Sequence, residues 1–232
     1  MGNGLTELVF ILDKSGSMSG LEHDTIGGYN SMLEKQRALE GECRITTVLF
    51  DNGYELLHDR IDIRAVNPIT EEEYYVGGST ALLDAIGTTI HKLCGVQKHT
   101  AEEYRAEKVM FVIITDGEEN ASREYSIEQI KEQIKRQKEK YGWEFVFLGA
   151  NIDAVATAGR FGIGADRAAD YLADADGTSL NFRVMNNAVS EFRTTSKISK
   201  KHFEQIREDV KMRGGSRKKR GIRSCGGREN MV

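Results

Sequence analysis

Short, unbroken apolar runs alternate along the chain with segments whose apolar residues recur at helical spacing. The strongest runs cover residues 8–12, 109–114 and 145–148. Runs of this length without polar alternation are typical of strands buried on both faces of a parallel sheet. Helical periodicity predicts helices over residues 21–40, 81–93, 126–141, 153–161 and 178–194. The alternation of the two patterns predicts a doubly wound α/β fold.

One strand is expected to run against the others. A second strand is predicted over residues 45–50 and is followed by Asp51-Asn52-Gly53, a strong turn signal. Residues 54–63 then return antiparallel, and their mixed polarity favours a position at the sheet edge. With a short strand at residues 169–172, we predict a Rossmann-like, mostly parallel six-stranded sheet with one antiparallel edge strand.

The charge distribution divides the chain into an acidic body and a basic C-terminal segment. From Lys197 onward there are twelve Lys/Arg and four Asp/Glu, so the preceding part carries a formal charge of about −12 within a total of −4. We predict an α/β domain over residues 1–196, a charged helical extension over residues 197–213 and a disordered basic tail over residues 214–232. An acidic body is not expected to bind nucleic acid and fits cations or basic partners.

Cysteine spacing and hydropathy indicate in which compartment the protein is expected and whether it associates with a membrane. The three cysteines are far apart and have no metal-type spacing. Free thiols in a reducing compartment are the simplest interpretation, which predicts a cytoplasmic protein. No apolar stretch is long enough to span a membrane, so no membrane association is expected.

Two carboxylates follow strongly apolar strands directly. Asp13 ends the first run and leads into Ser15 and Ser17, and Asp116 ends the fourth strand. The common strand order 3-2-1-4-5-6 places strands one and four side by side, so both carboxylates are expected at one crevice. Thr80 ends a glycine-rich loop at residues 77–80, which could bring its hydroxyl to the same crevice. Hard oxygen groups in such a cluster suit a divalent cation such as Mg²⁺.

These segments resemble one protein family. Asp13-Lys14-Ser15-Gly16-Ser17 looks like the Asp-x-Ser-x-Ser signature of the von Willebrand factor A (VWA) domain family. Gly78-Ser79-Thr80 resembles the threonine loop of that family, and Thr115-Asp116-Gly117 resembles its second aspartate loop. The resemblance covers roughly residues 5–195, and all five positions of the metal-ion-dependent adhesion site have a match in the family's order.

The resemblance implies a non-enzymatic interaction domain that binds Mg²⁺ or Mn²⁺. Ser15, Ser17 and Thr80 would contact the ion, and Asp13 and Asp116 would act largely through water. One coordination position would remain for water or for a Glu or Asp of a protein partner. The partner, its cellular process and the oligomeric state stay open.

Other interpretations compete with this one. Each of the residues alone fits a helix cap or a turn. A phosphatase could use Asp13 as its nucleophile, but a haloacid-dehalogenase-type site needs a second carboxylate where Ser15 stands. The basic cluster at residues 217–220 could bind nucleic acid non-specifically, although no aromatic residues interleave with it.

Four further residues near these segments are not expected to bind metal. Glu118 and Glu119 follow Asp116 and are expected to face solvent at the rim of the crevice. His23 and His58 lie on predicted surface segments and have no partner at zinc-site spacing.

Overall fold

A computed structural model describes residues 4–214 of the chain. Within this part, six strands form one sheet in the order β3-β2-β1-β4-β5-β6. Strand β3 pairs antiparallel with β2, and every other pair is parallel. The strands are β1 (Thr6–Asp13), β2 (Cys43–Phe50), β3 (Tyr54–Asp62), β4 (Lys108–Thr115), β5 (Glu144–Ala150) and β6 (Ala168–Tyr171). The predicted mostly parallel, six-stranded α/β sheet with one antiparallel edge strand is confirmed.

Helices cover both faces of the sheet. They are α1 (Glu22–Arg37), α2 (Leu82–His99), α3 (Ile127–Tyr141), α4 (Ala154–Arg160), α5 (Ala175–Thr195) and α6 (Lys201–Asp209). Helices α1, α5 and α6 share one apolar core with one face of the sheet, and α2, α3 and α4 share a second core with the other. Phe10 and Val9 of β1 enter opposite cores, which explains why an unbroken apolar run is needed there.

Local signals in the sequence fix several helix boundaries. The Ser126 hydroxyl accepts a hydrogen bond from the Gln129 amide, and the Gln129 side chain accepts one from the Ser126 amide, which completes a capping box for α3. Gly142 ends α3 with a φ of 66°, a conformation that glycine adopts without a steric cost. Both boundaries agree with the sequence prediction.

Two helices differ from the prediction. Helix α2 continues to His99, about two turns beyond the predicted end at residue 93. Helix α5 begins at Ala175, since the side chain of Asp174 accepts a hydrogen bond from the Gly177 amide at 2.8 Å and caps the helix. The sequence analysis overlooked this aspartate.

The charged segment after α5 contributes to the layer of helices formed by α1 and α5. Phe203 and Ile206 of α6 are buried in the core that α5 shares with the sheet. The division into residues 1–196, 197–213 and 214–232 stays a prediction, and the expected disordered tail lies, apart from Gly214, outside the described residues. No helix in the described part is long and apolar enough to cross a bilayer.

The prediction that His58 lies on the surface is wrong. This residue is buried in β3, and its Nδ1 lies 2.9 Å from the Thr47 hydroxyl, which also contacts the Tyr29 hydroxyl. The pairing of β3 with β2 is irregular at this point, and the irregularity turns the imidazole into the α1 side of the sheet. The mixed polarity of the strand concealed this arrangement.

Candidate metal centre

Three loops meet at the carboxyl ends of β1 and β4. These two strands are neighbours in the sheet, with Leu12 opposite Ile114, so the residues that follow them emerge side by side. The loop before α2 joins them through hydrogen bonds from the Gly16 amide to the Gly78 carbonyl, at 3.1 Å, and from the Gly77 amide to the Lys14 carbonyl, at 2.9 Å. The strand order therefore brings together segments about a hundred residues apart in sequence.

The three predicted hydroxyl groups lie in one cluster. The Ser15 Oγ is 3.0 Å from the Ser17 Oγ and 3.0 Å from the Thr80 Oγ1. Gly117 completes the cluster, because a Cβ built there would lie 2.9 Å from the Ser17 Oγ and 3.2 Å from the Thr80 Oγ1. Ser15 and Thr80 are buried, and Ser17 is exposed at the mouth. The cluster thus opens to solvent on one side.

Asp13 is held firmly beneath this cluster. Its Oδ1 accepts a hydrogen bond from the Ser15 amide at 2.7 Å, and its Oδ2 accepts one from the Thr115 hydroxyl at 2.5 Å. Its side chain is fully buried, and burial raises its pKa although these hydrogen bonds oppose the shift. Thr115 was missed by the sequence analysis, which treated it only as part of the aspartate loop.

Asp116 is the exception in this polar network. It is only 2% exposed, and both carboxylate oxygens are buried without a hydrogen-bond partner among residues 4–214. Burial raises its pKa to about 6; the nearby Ser17 hydroxyl opposes the shift without forming a hydrogen bond of normal geometry, and the Asp13 carboxylate adds to it. An unpaired buried carboxylate is costly, so this position favours a positively charged partner.

The described part of the protein supplies no such partner. No Lys, Arg or His within residues 4–214 forms an ion pair with Asp13 or Asp116. Lys14 is adjacent in sequence, but its ammonium group pairs with Glu55 at 2.6 Å and lies over the Tyr75 ring. Lys14 is therefore paired with Glu55 and forms no ion pair with Asp13 or Asp116.

Thr80 is positioned by a segment that sequence analysis did not connect with it. The Thr80 amide donates to the Asn120 side chain at 3.0 Å, and the Asn120 amide donates to the Thr80 carbonyl at 3.0 Å. Gly78, two residues earlier, has a φ of 74° and closely approaches Asn52, so a side chain there would clash. The Thr80 hydroxyl is thus fixed by contacts made through its backbone.

The expectation that Glu119 faces solvent is wrong. Its carboxylate is partly buried and accepts hydrogen bonds from the amides of Leu83, Ala121 and Ser122, at 2.8 to 2.9 Å. The Leu83 amide lies in the first turn of α2, where negative charge is favoured, and the other two amides belong to the loop that follows Glu119. Glu118 is exposed, as expected.

The donor set fits a hard divalent cation. Mg²⁺ and Mn²⁺ prefer oxygen ligands, and the cluster offers three hydroxyls beside two carboxylates, one of them unpaired. No group of three or more His, Cys, Asp and Glu side chains suited to a metal occurs in the described part.

Comparisons with known proteins identify the fold. No protein-family profile and no curated protein sequence matches this chain. Among solved structures, a von Willebrand factor type A protein from Catenulispora acidiphila aligns with a TM-score of 0.54 and 15% identity over 79% of this chain and 42% of its own. The ArnB paralog VWA2 from Sulfolobus acidocaldarius aligns at 0.50 with 16% identity, over 80% and 45%.

A mutant of the PilB minor pilin from Streptococcus sanguinis aligns with a TM-score of 0.56 and 12% identity, over 83% of this chain and 63% of the pilin. The chain thus spans less than two thirds of these structures. Similarity at this level of identity concerns the fold alone. The chain has a VWA-like fold, in agreement with the resemblance of its three loops.

Proposed function

We propose that this domain is a metal-dependent protein-interaction module. Ser15, Ser17 and Thr80 hold Mg²⁺ or Mn²⁺ directly, and Asp13 and Asp116 support the ion through water. When bound, the ion offers a Lewis-acidic position to a carboxylate oxygen of a partner protein. The VWA-like fold supports an interaction role, since such domains serve adhesion and binding rather than catalysis.

The buried, unpaired carboxylate of Asp116 carries the proposal. A domain that kept this aspartate for stability would pair it, because an unpaired buried charge destabilises the folded state. Its position beside three clustered hydroxyls, one of them exposed, gives a cation both charge compensation and access from solvent. The hydrogen bonds that fix Asp13 and Thr80 reduce the reorganisation that binding requires.

A carboxylate of the partner fits the charge of the occupied site. The direct ligands are neutral, so the cation keeps a positive charge that attracts a Glu or Asp side chain locally. The acidic body repels the same side chain at long range, so attraction depends on the ion. Capture of the partner should therefore be lost when the ion is removed.

Calorimetric titration with Mn²⁺ tests the metal site. Thr80→Ala removes one hydroxyl and leaves the backbone contacts with Asn120 in place, so we expect about tenfold weaker binding with an unchanged fold. Thr100→Ala is the matched control, because its hydroxyl donates to the Val96 carbonyl at the end of α2 and to no other group among residues 4–214. Equal Mn²⁺ affinity in both variants and the wild type would refute the assignment of Thr80.

Acetate tests the open coordination position without a known partner. A carboxylate that displaces water from bound Mn²⁺ should lower the water-proton relaxation rate of the Mn²⁺-loaded protein in a saturable manner. Neutral acetamide should have little effect at the same concentration. An unchanged relaxation rate with acetate would exclude carboxylate capture, even if Mn²⁺ itself binds.

A further inference from the structure

Asn120 lies at the border of the metal centre, on the loop that follows β4. This loop crosses the hydroxyl cluster, because Gly117 packs against Ser17 and Thr80. Three residues later, the amides of Asn120 and Ala121 donate to the Thr80 carbonyl at 3.0 and 3.2 Å, and the Asn120 side chain accepts from the Thr80 amide at 3.0 Å. Asn120 is nevertheless exposed, so its side chain contacts both Thr80 and solvent.

The contact with Thr80 determines how the side-chain amide of Asn120 is oriented. A backbone N–H can only donate, so the atom that faces it must be the oxygen Oδ1. The Nδ2 group then keeps both of its N–H donors, since it forms no hydrogen bond within residues 4–214. Asn30 shows the opposite arrangement, because its Nδ2 donates to the Ile69 carbonyl at 2.8 Å and its Oδ1 accepts from the Ile69 amide at 2.9 Å. Asn120 therefore combines one structural contact with two unused donors.

These donors are within reach of a small ligand at the metal centre. The oxygen and nitrogen atoms of a carboxamide are about 2.2 Å apart. Since the Asn120 Oδ1 is 3.0 Å from the Thr80 nitrogen, the Nδ2 atom lies within about 5 Å of that nitrogen. The hydroxyl of the same threonine belongs to the cluster that is proposed to hold the cation.

A donor without charge suits this position. A lysine or arginine beside the cluster would repel a divalent cation, whereas a carboxamide donates hydrogen bonds without adding positive charge. Lys14, the basic residue next to Asp13 in the sequence, is paired with Glu55 at 2.6 Å. An aspartate could accept the same bond from the Thr80 amide, so the NH₂ group of Asn120 is not required for that contact. It is available to an incoming ligand.

We propose that Asn120 makes the metal centre selective for carboxylates. This inference rests on the proposed function of that centre. A carboxylate has two oxygen atoms, so one can bind the cation while the other accepts a hydrogen bond from the Asn120 Nδ2. A primary amide would place its own NH₂ group against these donors, and a hydroxyl has no second oxygen. The centre thus selects Asp or Glu of the partner over Asn, Gln and Ser.

Nuclear magnetic resonance of the wild-type protein tests the contact directly. The side-chain N–H signals of Asn120 and Asn30 are assigned by through-bond correlation in protein saturated with diamagnetic Mg²⁺. Acetate should shift the Asn120 signals in a saturable manner and leave those of Asn30 unchanged, because the Asn30 amide is already paired. In EDTA, acetate should shift neither. If acetate displaced water from bound Mn²⁺ but left the Asn120 signals unchanged, the inference would be overturned.

Asn120→Asp tests the same contact by affinity. It keeps the shape of the side chain and the acceptor for the Thr80 amide but removes both donors. The affinity of the Mn²⁺-saturated protein for acetate, measured by water-proton relaxation, should fall about tenfold or more.

Asn52→Asp is the matched control, because it makes the same substitution at an exposed position that lies against Gly78 of the Thr80 loop. It should weaken acetate binding by no more than about twofold, since an exposed charge is screened by salt. Equal losses in the two variants would reduce the effect of Asn120→Asp to its added charge and would overturn the inference.

The inference and the proposed function fail in different ways. If wild type bound Mn²⁺ and acetate while Asn120→Asp bound acetate equally well, only the role of Asn120 would be overturned. If wild type bound no Mn²⁺, or bound no acetate when loaded, the proposed function would be overturned together with the role of Asn120.

Discussion

Two carboxylates are buried at opposite ends of the central strands, and only one of them is paired within the described residues. Glu7, near the start of β1, is fully buried and accepts hydrogen bonds from Arg60 at 2.8 Å and from Thr46 at 3.3 Å. Asp116, directly after β4, is equally buried but has no partner in the described part. Burial raises the pKa of both groups, and at Glu7 the Arg60 guanidinium opposes that shift.

The difference distinguishes a carboxylate that is paired within the chain from one that we propose supports a bound cation. Glu7 is neutralised within the chain, and Arg60 adopts a φ of 53°, unusual for a residue with a side chain, where it makes this contact. Asp116 has no cation in the described part, and the neighbouring Asp13 makes its ionisation harder. A cation from solvent would compensate the negative charge of Asp116, as the Arg60 guanidinium compensates that of Glu7.

The largest expected effect on stability concerns the paired carboxylate. Arg60→Met keeps the aliphatic part of the side chain and the backbone conformation but leaves Glu7 buried without its cation. We expect a loss of about 3 kcal/mol in the free energy of unfolding, measured by urea denaturation with and without Mg²⁺. The loss should not depend on Mg²⁺.

Adding Glu7→Gln to this variant should restore part of the lost stability, because it removes the buried charge. If the double variant were no more stable than Arg60→Met alone, loss of the cation that compensates Glu7 would not explain the lower stability of Arg60→Met.

The unpaired carboxylate should respond in the opposite direction. Asp116→Asn removes a buried charge that no residue of the described part compensates, so the metal-free protein should gain about 1 kcal/mol of stability at neutral pH. Urea denaturation in EDTA measures this change. A loss of several kcal/mol would show that the carboxylate has a structural partner and would remove the contrast with Glu7.

The stabilising effect of Asp116→Asn should also depend on pH. The pKa of Asp116 in the folded state is about 6, above its ordinary value of 3.8, so the folded protein holds this proton more tightly than the unfolded chain. Its contribution to stability is complete below about pH 3.8 and is lost as the pH rises through 6. In EDTA, wild type and Asp116→Asn should therefore be about equally stable near pH 4 and diverge by pH 7. A constant difference across this range would contradict the shifted pKa.

Sequence patterns predicted the parts of this molecule that depend on local chemistry. The apolar runs predicted the central strands, because a short run without polar alternation is typical of a strand buried on both faces. The expected strand order placed Asp13 and Asp116 at one crevice, and the resemblance to the VWA loops implied that Ser15, Ser17 and Thr80 join them. The metal they are expected to bind remains a prediction.

Contacts between segments distant in the chain could not be predicted from the sequence. The hydrogen bonds from the Thr115 hydroxyl to Asp13 and from the Thr80 amide to the Asn120 side chain join residues about 100 and 40 positions apart. No pattern in either segment indicates its partner. Glu119 follows a strand end and was expected at the surface, but its contact with the Leu83 amide depends on where α2 begins. The burial of His58 arises from an irregular strand pairing that has no clear signal in the sequence.

The central claim is that a divalent cation compensates Asp116, and the dependence of stability on Mg²⁺ tests it most directly. At an Mg²⁺ concentration about 100 times the dissociation constant, wild type should gain about 2.7 kcal/mol in unfolding free energy at neutral pH, and Asp116→Asn should gain far less. Matched ionic strength with NaCl controls for screening. If Mg²⁺ stabilised neither protein, or both equally, Asp116 would not be part of a cation site.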